Sequence, residues 1–143
     1  MDALTDHTRA GTHPIVPFLQ ASVVSLTLIT AAIHASLGGL LFTINALGYT
    51  ALAAAMILPG PFGRVRWIAR LALAGFTVAT IVGWVLFGTR FPLAYVDKGV
   101  EAALLVFIAI ELWLFDGGPG GIARRIRQVG RGIARSISTR GAR

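Results

Sequence analysis

The stretch from Pro92 to Asp116 limits more than any other how this chain can fold. It is apolar over a length that can cross a bilayer as a helix, for which about 20 residues suffice. Its interior nevertheless holds four charged residues: Asp97, Lys98, Glu101 and Glu111. Charges are costly at membrane depth, and they usually face the interior of a helical bundle or a polar cavity. We therefore expect this stretch to be a membrane helix packed against other helices, and to carry much of any function.

The composition supports a membrane protein. Hydrophobic residues make up 55% of the 143 residues, charged residues only 13%, and the mean hydropathy is +0.74. A soluble domain would carry about twice that charged fraction. The chain has no cysteine, which excludes disulfides, thiolate metal sites and thiol chemistry.

Three further apolar segments precede the charged one, so the predicted spans are 17–36, 39–58, 67–88 and 92–116. Pro17 suits the first turn of a helix, and Pro59 and Pro61 should end the second span. The predicted fold is all-α, an integral membrane antiparallel four-helix transmembrane bundle over residues 14–116. Residues 1–13 should be a polar N-terminal tail, with His7 and His13 solvated rather than bound to metal.

The distribution of arginine predicts the orientation of the chain. Arg64, Arg66 and Arg70 lie at the second connection, and residues 117–143 hold seven arginines and no acidic residue. Basic segments next to membrane helices stay on the cytoplasmic side. We therefore predict a multi-pass protein of the plasma membrane with both termini cytoplasmic, and with the connections near residues 37–39 and 89–91 outside.

The C-terminal region is predicted to be a hinge followed by a surface helix. Residues 117–121 are glycine and proline, and residues 122–143 form a basic amphipathic tail. Its isoleucines and Val129 share one side at helical spacing, and the opposite side carries Arg124, Arg127, Arg131 and Arg135. Such a helix is predicted to lie on the anionic inner leaflet. Nucleic acid is a poor alternative partner, because no aromatic residue alternates with the arginines.

The charged residues of the last span are predicted to form two groups. Asp97, Glu101 and Glu111 fall within an arc of about 80°, so they share one helix face. Near the inner end, Glu111 should form an ion pair with Arg70, because a short connection makes the last two spans neighbours. The outer half should hold a polar cluster of five residues: His34, Asn45, Asp97, Lys98 and Glu101.

Pairings inside the outer cluster can be proposed from spacing. Lys98 and Glu101 are one helical turn apart and should pair. That leaves Asp97 for Arg90, and His34 for Asn45 or Glu101. A metal site of His34, Asp97 and Glu101 lacks any spacing motif, so no metal or other cofactor is expected.

The sequence carries no catalytic motif, such as a nucleophile with a base or a phosphate-binding glycine loop. The leading expectation is a small, non-enzymatic polytopic membrane protein that acts as an accessory or scaffolding subunit, as a homo-oligomer or within a larger membrane complex. The alternative is a small transporter, channel or ligand-binding protein that uses the outer polar cluster. A haem- or quinone-linked redox subunit is a third reading, although bis-histidine haem would need a second embedded histidine.

Overall fold

The computed structural model describes residues 15–58 and 66–140, with side chains to residue 131. This part of the chain is all-helical and contains no strand. It forms five helices: α1 (Ile15–Leu37), α2 (Leu40–Ile57), α3 (Arg66–Phe87), α4 (Pro92–Asp116) and α5 (Gly118–Arg140). The first four begin and end within two residues of the predicted spans. The tail histidines His7 and His13, and Arg64, lie outside the described residues.

Three of the helices, α1, α2 and α3, are long and apolar enough to cross a membrane. Helix α4 is long enough, at 25 residues, but its acidic residues and Lys98 make it too polar to be identified as a membrane span by composition. Composition alone therefore identifies three candidate spans where the sequence predicts four.

The first four helices pack in a closed ring, in which α1 contacts α2 and α4, and α3 contacts the same two helices. A cluster of buried apolar side chains joins all four: Val23 and Ala31 of α1, Tyr49 and Met56 of α2, Leu73 of α3, and Leu104 and Ile108 of α4. This shared core fixes which face of each helix points inward.

Polarity is distributed in the reverse of the pattern seen in soluble proteins. Many large apolar side chains are exposed on the surface, among them Leu40, Leu47, Phe87 and Trp113. Acidic side chains are instead buried, and Glu101 and Glu111 have no solvent-accessible surface. Water would solvate these carboxylates better than a protein interior does. Their burial, together with the exposed apolar side chains, is typical of a bundle whose surface faces an apolar environment.

The connection between α4 and α5 differs from the predicted five-residue hinge. Helix α4 ends at Asp116, Gly117 takes a left-handed conformation with φ of 72°, and α5 begins at Gly118. Pro119 is in the first turn of α5, where a missing N–H is tolerated. A Cβ atom at Gly121 would lie 1.8 Å from the carbonyl oxygen of Asp116, so this close approach requires glycine. The break is therefore shorter than the predicted hinge of residues 117–121, because positive φ is confined to Gly117 and Gly118, at 72° and 61°, and the helix continues from there.

Candidate functional site

Helix α4 organises the site through one buried seam. Its buried positions before the last residue are spaced alternately three and four residues apart: Ala94, Asp97, Glu101, Leu104, Ile108 and Glu111. This spacing keeps one stripe of a helix against its neighbours. The seam is apolar in the middle, at Leu104 and Ile108, and acidic toward both ends. The acidic residues are thereby separated into two clusters.

The first cluster, called here the His34 cluster, consists of His34, Asp97, Lys98 and Glu101. Lys98 Nζ lies 2.9 Å from Asp97 Oδ2 and 2.6 Å from Glu101 Oε2. Lys98 pairs with Glu101, as its spacing predicts, and it also pairs with Asp97, for which the sequence predicted Arg90 as the partner. The predicted Asp97–Arg90 pair is wrong, because Arg90 instead lies over the ring of Trp84 at 5.3 Å.

Each of the other three helices donates a hydroxyl hydrogen bond to the carboxylates of this cluster. Thr30 of α1 donates to Asp97 Oδ1 at 2.6 Å. Tyr49 of α2 and Thr80 of α3 each donate to Glu101 Oε1 at 2.9 Å. Hydrogen bonds to a charged acceptor are stronger than neutral ones, so these donors help to hold ionised carboxylates away from water. Sequence analysis did not assign these three residues to the site, although Thr30 and Tyr49 lie on polar helix faces.

The ring of His34 is oriented by its own helix. Its Nδ1 atom lies 2.9 Å from the backbone carbonyl oxygen of Thr30. A carbonyl oxygen only accepts, so Nδ1 carries the hydrogen in this contact. The other ring nitrogen, Nε2, lies 3.9 Å from Glu101 Oε1. In a neutral ring Nε2 has a lone pair and no hydrogen, and it is then the atom free to accept a proton or face a cation.

The cluster contains more acidic than basic charge. Asp97 and Glu101 supply two negative charges and Lys98 supplies one positive charge, while a neutral His34 adds none. His34, Asp97 and Glu101 each offer one ligand atom, and these atoms lie within 4.8 Å of one another. All three residues are buried. The arrangement can therefore hold one further positive charge, either a proton or a cation.

A cavity of about 420 Å³ adjoins the cluster where α1 and α3 end and α2 and α4 begin. Its polar lining includes His34, Asp97, Lys98 and Thr80. Its aromatic lining is formed by Phe42, Phe76, Trp84, Phe87 and Phe91. Small-molecule sites are typically concave, mostly apolar, and equipped with a few convergent polar groups. The cavity has this character.

Asn45 lies on the cavity lining rather than within the cluster. Of the two partners predicted for His34, the structure places Glu101 beside it, with Oε1 3.9 Å from Nε2, whereas no hydrogen bond joins His34 to Asn45. The structure thus brings together four of the five residues predicted for the outer cluster and leaves Asn45 facing the cavity.

The second cluster, called here the Arg70 cluster, consists of Arg70, Glu111, Asp116 and Arg125. Arg70 Nε lies 2.7 Å from Glu111 Oε2, and its Nη1 lies 3.0 Å from Asp116 Oδ2. The other oxygen of Asp116 is 2.8 Å from Arg125 Nη1. Two carboxylates thus meet two guanidinium groups. The pairing of Arg70 with Glu111 was anticipated, whereas Arg125 was missed because it falls between the two faces assigned to the tail.

Helix α5 leaves the rest of the molecule after its first two turns. Arg124, Arg127 and Arg131 are exposed, and so are the apolar side chains of Ile126 and Val129, at 54% and 51%. The side chain of Arg135 lies outside the described residues. No described part of the chain covers either face of α5 beyond Arg125.

Comparison of the chain with protein-family models, with curated proteins and with solved structures finds no match. The site itself must therefore support any functional conclusion.

Proposed function

We propose that helices α1 to α4 all cross the membrane as an antiparallel bundle, so that α4 is a fourth span. Its charged residues do not prevent this, because Asp97, Glu101, Glu111 and Asp116 are at most 5% exposed and each has a basic partner. The part of α4 that faces away from the other helices carries apolar and aromatic side chains: Tyr95, Val96, Val106, Ile110, Trp113 and Leu114. A bilayer would meet this surface, not the charges.

The proposed location is the plasma membrane, with both termini cytoplasmic and α5 lying on the anionic inner leaflet. The exposed apolar side chains of Ile126 and Val129, and the exposed Arg124, Arg127 and Arg131, suit the boundary between acyl chains and headgroups. Because the chain has no cysteine, single cysteines give a clean topology test. A membrane-impermeant maleimide should label Ser36→Cys and Thr89→Cys in intact cells, and Gln128→Cys only after permeabilisation. Labelling of Gln128→Cys in intact cells would show that the protein has the opposite orientation.

We infer that the protein binds a small molecule in the cavity beside the His34 cluster, as a ligand-binding or transport protein. The observation that supports this most directly is that His34, Asp97 and Lys98 converge on a partly open cavity of about 420 Å³ that five aromatic rings line. A network that only held the helices in register would not need its polar side chains to converge on an open cleft. Cavities of this volume are within the range of ordinary small-molecule sites, about 300–1,000 Å³.

Two glycines of α3 allow a matched test of this function. Gly83 lines the cavity, whereas Gly75 lies two turns away and does not. An added Cβ atom meets nothing within 4 Å at either position. Gly83→Leu should therefore fill the cavity, and Gly75→Leu should change the helix to a similar degree without touching it.

The neutral aromatic amine 1-aminoanthracene is a suitable probe, with protein in lipid nanodiscs and Trp67 and Trp113 replaced by Phe so that only Trp84 reports. Saturable quenching of Trp84 is expected in the parent protein and in Gly75→Leu. In Gly83→Leu the apparent Kd should rise about 10-fold or more, as for a ligand that loses roughly 1.4 kcal/mol of contacts. Equal quenching in all three proteins would refute cavity binding.

The second candidate is an accessory or scaffolding subunit of a membrane complex. Its support is that each carboxylate of the His34 cluster already has hydroxyl and lysine partners, as expected of residues that fix helix register. A homo-oligomer or a stable larger assembly in mild detergent is its expected signature, and a monodisperse monomer without partners would count against it.

The redox alternative has weaker support, because His34 is the single histidine among the described residues. If the protein is a redox subunit, purified protein with its native lipids should show visible haem absorption bands or bound quinone. A featureless visible spectrum without extractable quinone would contradict this hypothesis.

A further inference from the structure

The His34 cluster lacks one positive charge, and no described residue nearby supplies it. The titratable groups that face His34 are Asp97 and Glu101 on α4, with Lys98 bound to both of them, and the phenol of Tyr49 on α2, whose ring lies 5.5 Å away. Among the described residues of α3, the group nearest the cluster is the hydroxyl of Thr80. Arg90 is engaged with Trp84. A buried site with net charge is unfavourable, so this site should hold a proton or a cation.

A proton on His34 would balance the charge. Nδ1 already carries a hydrogen toward Thr30, so a second proton would occupy Nε2, next to Glu101. The imidazolium would then lie between two carboxylates, with Asp97 at 3.5 Å and Glu101 at 3.9 Å. The same balance is reached if His34 is neutral and a cationic ligand enters from the cavity.

The cavity suits an organic cation better than an inorganic one. Aromatic faces attract ammonium and guanidinium groups, and the molecule already shows this at the cavity lining, where Arg90 lies over Trp84. Asp97 and Glu101 already hold one ammonium, that of Lys98. Lys98 holds one oxygen of each carboxylate, and the oxygens that face His34, Asp97 Oδ1 and Glu101 Oε1, already accept hydroxyl hydrogen bonds. A divalent metal would have to displace these hydroxyl donors, and it would leave most of the apolar volume unused.

We propose that the His34 cluster binds a small organic cation, an ammonium attached to an apolar group, in exchange for one proton held on His34. The proposal rests on the proposed ligand-binding function and specifies its ligand class. On binding, the cation enters the cavity and the proton leaves Nε2 for water, so that the total charge of the site is unchanged. Binding should therefore be weaker at acidic pH, where proton and cation compete for the same surplus negative charge.

The test uses full-length protein in lipid nanodiscs and benzyltrimethylammonium as the probe. Isothermal titration calorimetry in two buffers of different ionisation heat counts the protons exchanged. About one proton released per cation is expected at acidic pH, where the apparent Kd should fall by up to about 10-fold for each unit by which the pH is raised. His34→Gln should still bind the cation but should show neither proton release nor this pH dependence.

Binding of two further ligands, 1-aminoanthracene and zinc ions, shows which part of the proposal is wrong if benzyltrimethylammonium does not bind. If 1-aminoanthracene binds in the cavity but benzyltrimethylammonium does not, the ligand class is wrong and the ligand-binding function stands. If neither probe binds, both proposals fail. If zinc ions bind and the ammonium does not, the site is a metal site and the inference is overturned. Proton release that persists in His34→Gln would also overturn it, because another group would then be the proton carrier.

Discussion

The His34 cluster and the Arg70 cluster are built on the same seam of α4, yet they differ in charge balance and in packing. Each contains two buried carboxylates. In the Arg70 cluster these meet two guanidinium groups, and none of its residues lines the cavity beside Trp84. In the His34 cluster they meet one lysine and a histidine, and three of its four members line that cavity.

Under the proposed function, this contrast separates a structural role for the Arg70 cluster from a binding role for the His34 cluster. A balanced set of ion pairs holds its own helices in register and gains little from a ligand. A set that lacks one positive charge, placed beside an open volume, gains from whatever supplies that charge. Incomplete neutralisation is therefore a more useful sign of a binding site here than burial of charge, which both clusters share.

The largest effect is expected in the Arg70 cluster. Arg70→Met should lower the free energy of unfolding by about 3–5 kcal/mol, because it leaves the buried carboxylate of Glu111 without its partner. Thermal or denaturant unfolding in detergent, followed by circular dichroism, measures this loss. Arg90→Met is the matched control: Arg90 is exposed and contacts Trp84 and a backbone carbonyl, so the loss should be about 1 kcal/mol or less. Similar losses in the two variants would show that the Arg70 cluster is not a clamp.

A smaller effect on stability is expected in the His34 cluster. In Glu101→Gln the amide oxygen can still accept from Tyr49 and Thr80, and Lys98 keeps Asp97. The loss should be about 1–3 kcal/mol, the value of one charge-assisted hydrogen bond. Unfolding and oligomeric mass in detergent measure it together. If stability and assembly are unaffected while binding of benzyltrimethylammonium is altered, the accessory-subunit reading is wrong. A loss as large as that of Arg70→Met would remove the distinction between the clusters.

The sequence predicted well what depends on the position of residues along a helix. The helix bounds follow from apolar length and from proline and glycine, and the shared face of Asp97, Glu101 and Glu111 follows from helical spacing. The contact between Arg70 and Glu111 follows from the short connection that makes α3 and α4 neighbours.

The sequence could not predict what depends on side-chain reach and on distances between helices. Lys98 follows Asp97 directly, and adjacent residues diverge by about 100° on a helix, yet the long lysine side chain extends back to reach both carboxylates. Thr30 shares a polar helix face with His34, and Tyr49 shares one with Asn45. Spacing alone nevertheless did not identify these residues, or Thr80, as donors to the carboxylates. The position of Arg125 depends on the turn at Gly117 and Gly118, and composition did not reveal how short that turn is.

The most direct test of the difference between the clusters is the affinity of benzyltrimethylammonium for two aspartate variants, each compared with the parent protein in nanodiscs. Asp97→Asn removes the surplus negative charge of the His34 cluster, and it should raise the Kd about 10-fold or more, the factor for one lost charge-assisted contact. Asp116→Asn removes a charge from the Arg70 cluster, and it should lower stability while leaving the Kd within about twofold of the parent value. Equal weakening of binding in the two variants, or no weakening in Asp97→Asn, would contradict the assignment of the binding role to the His34 cluster.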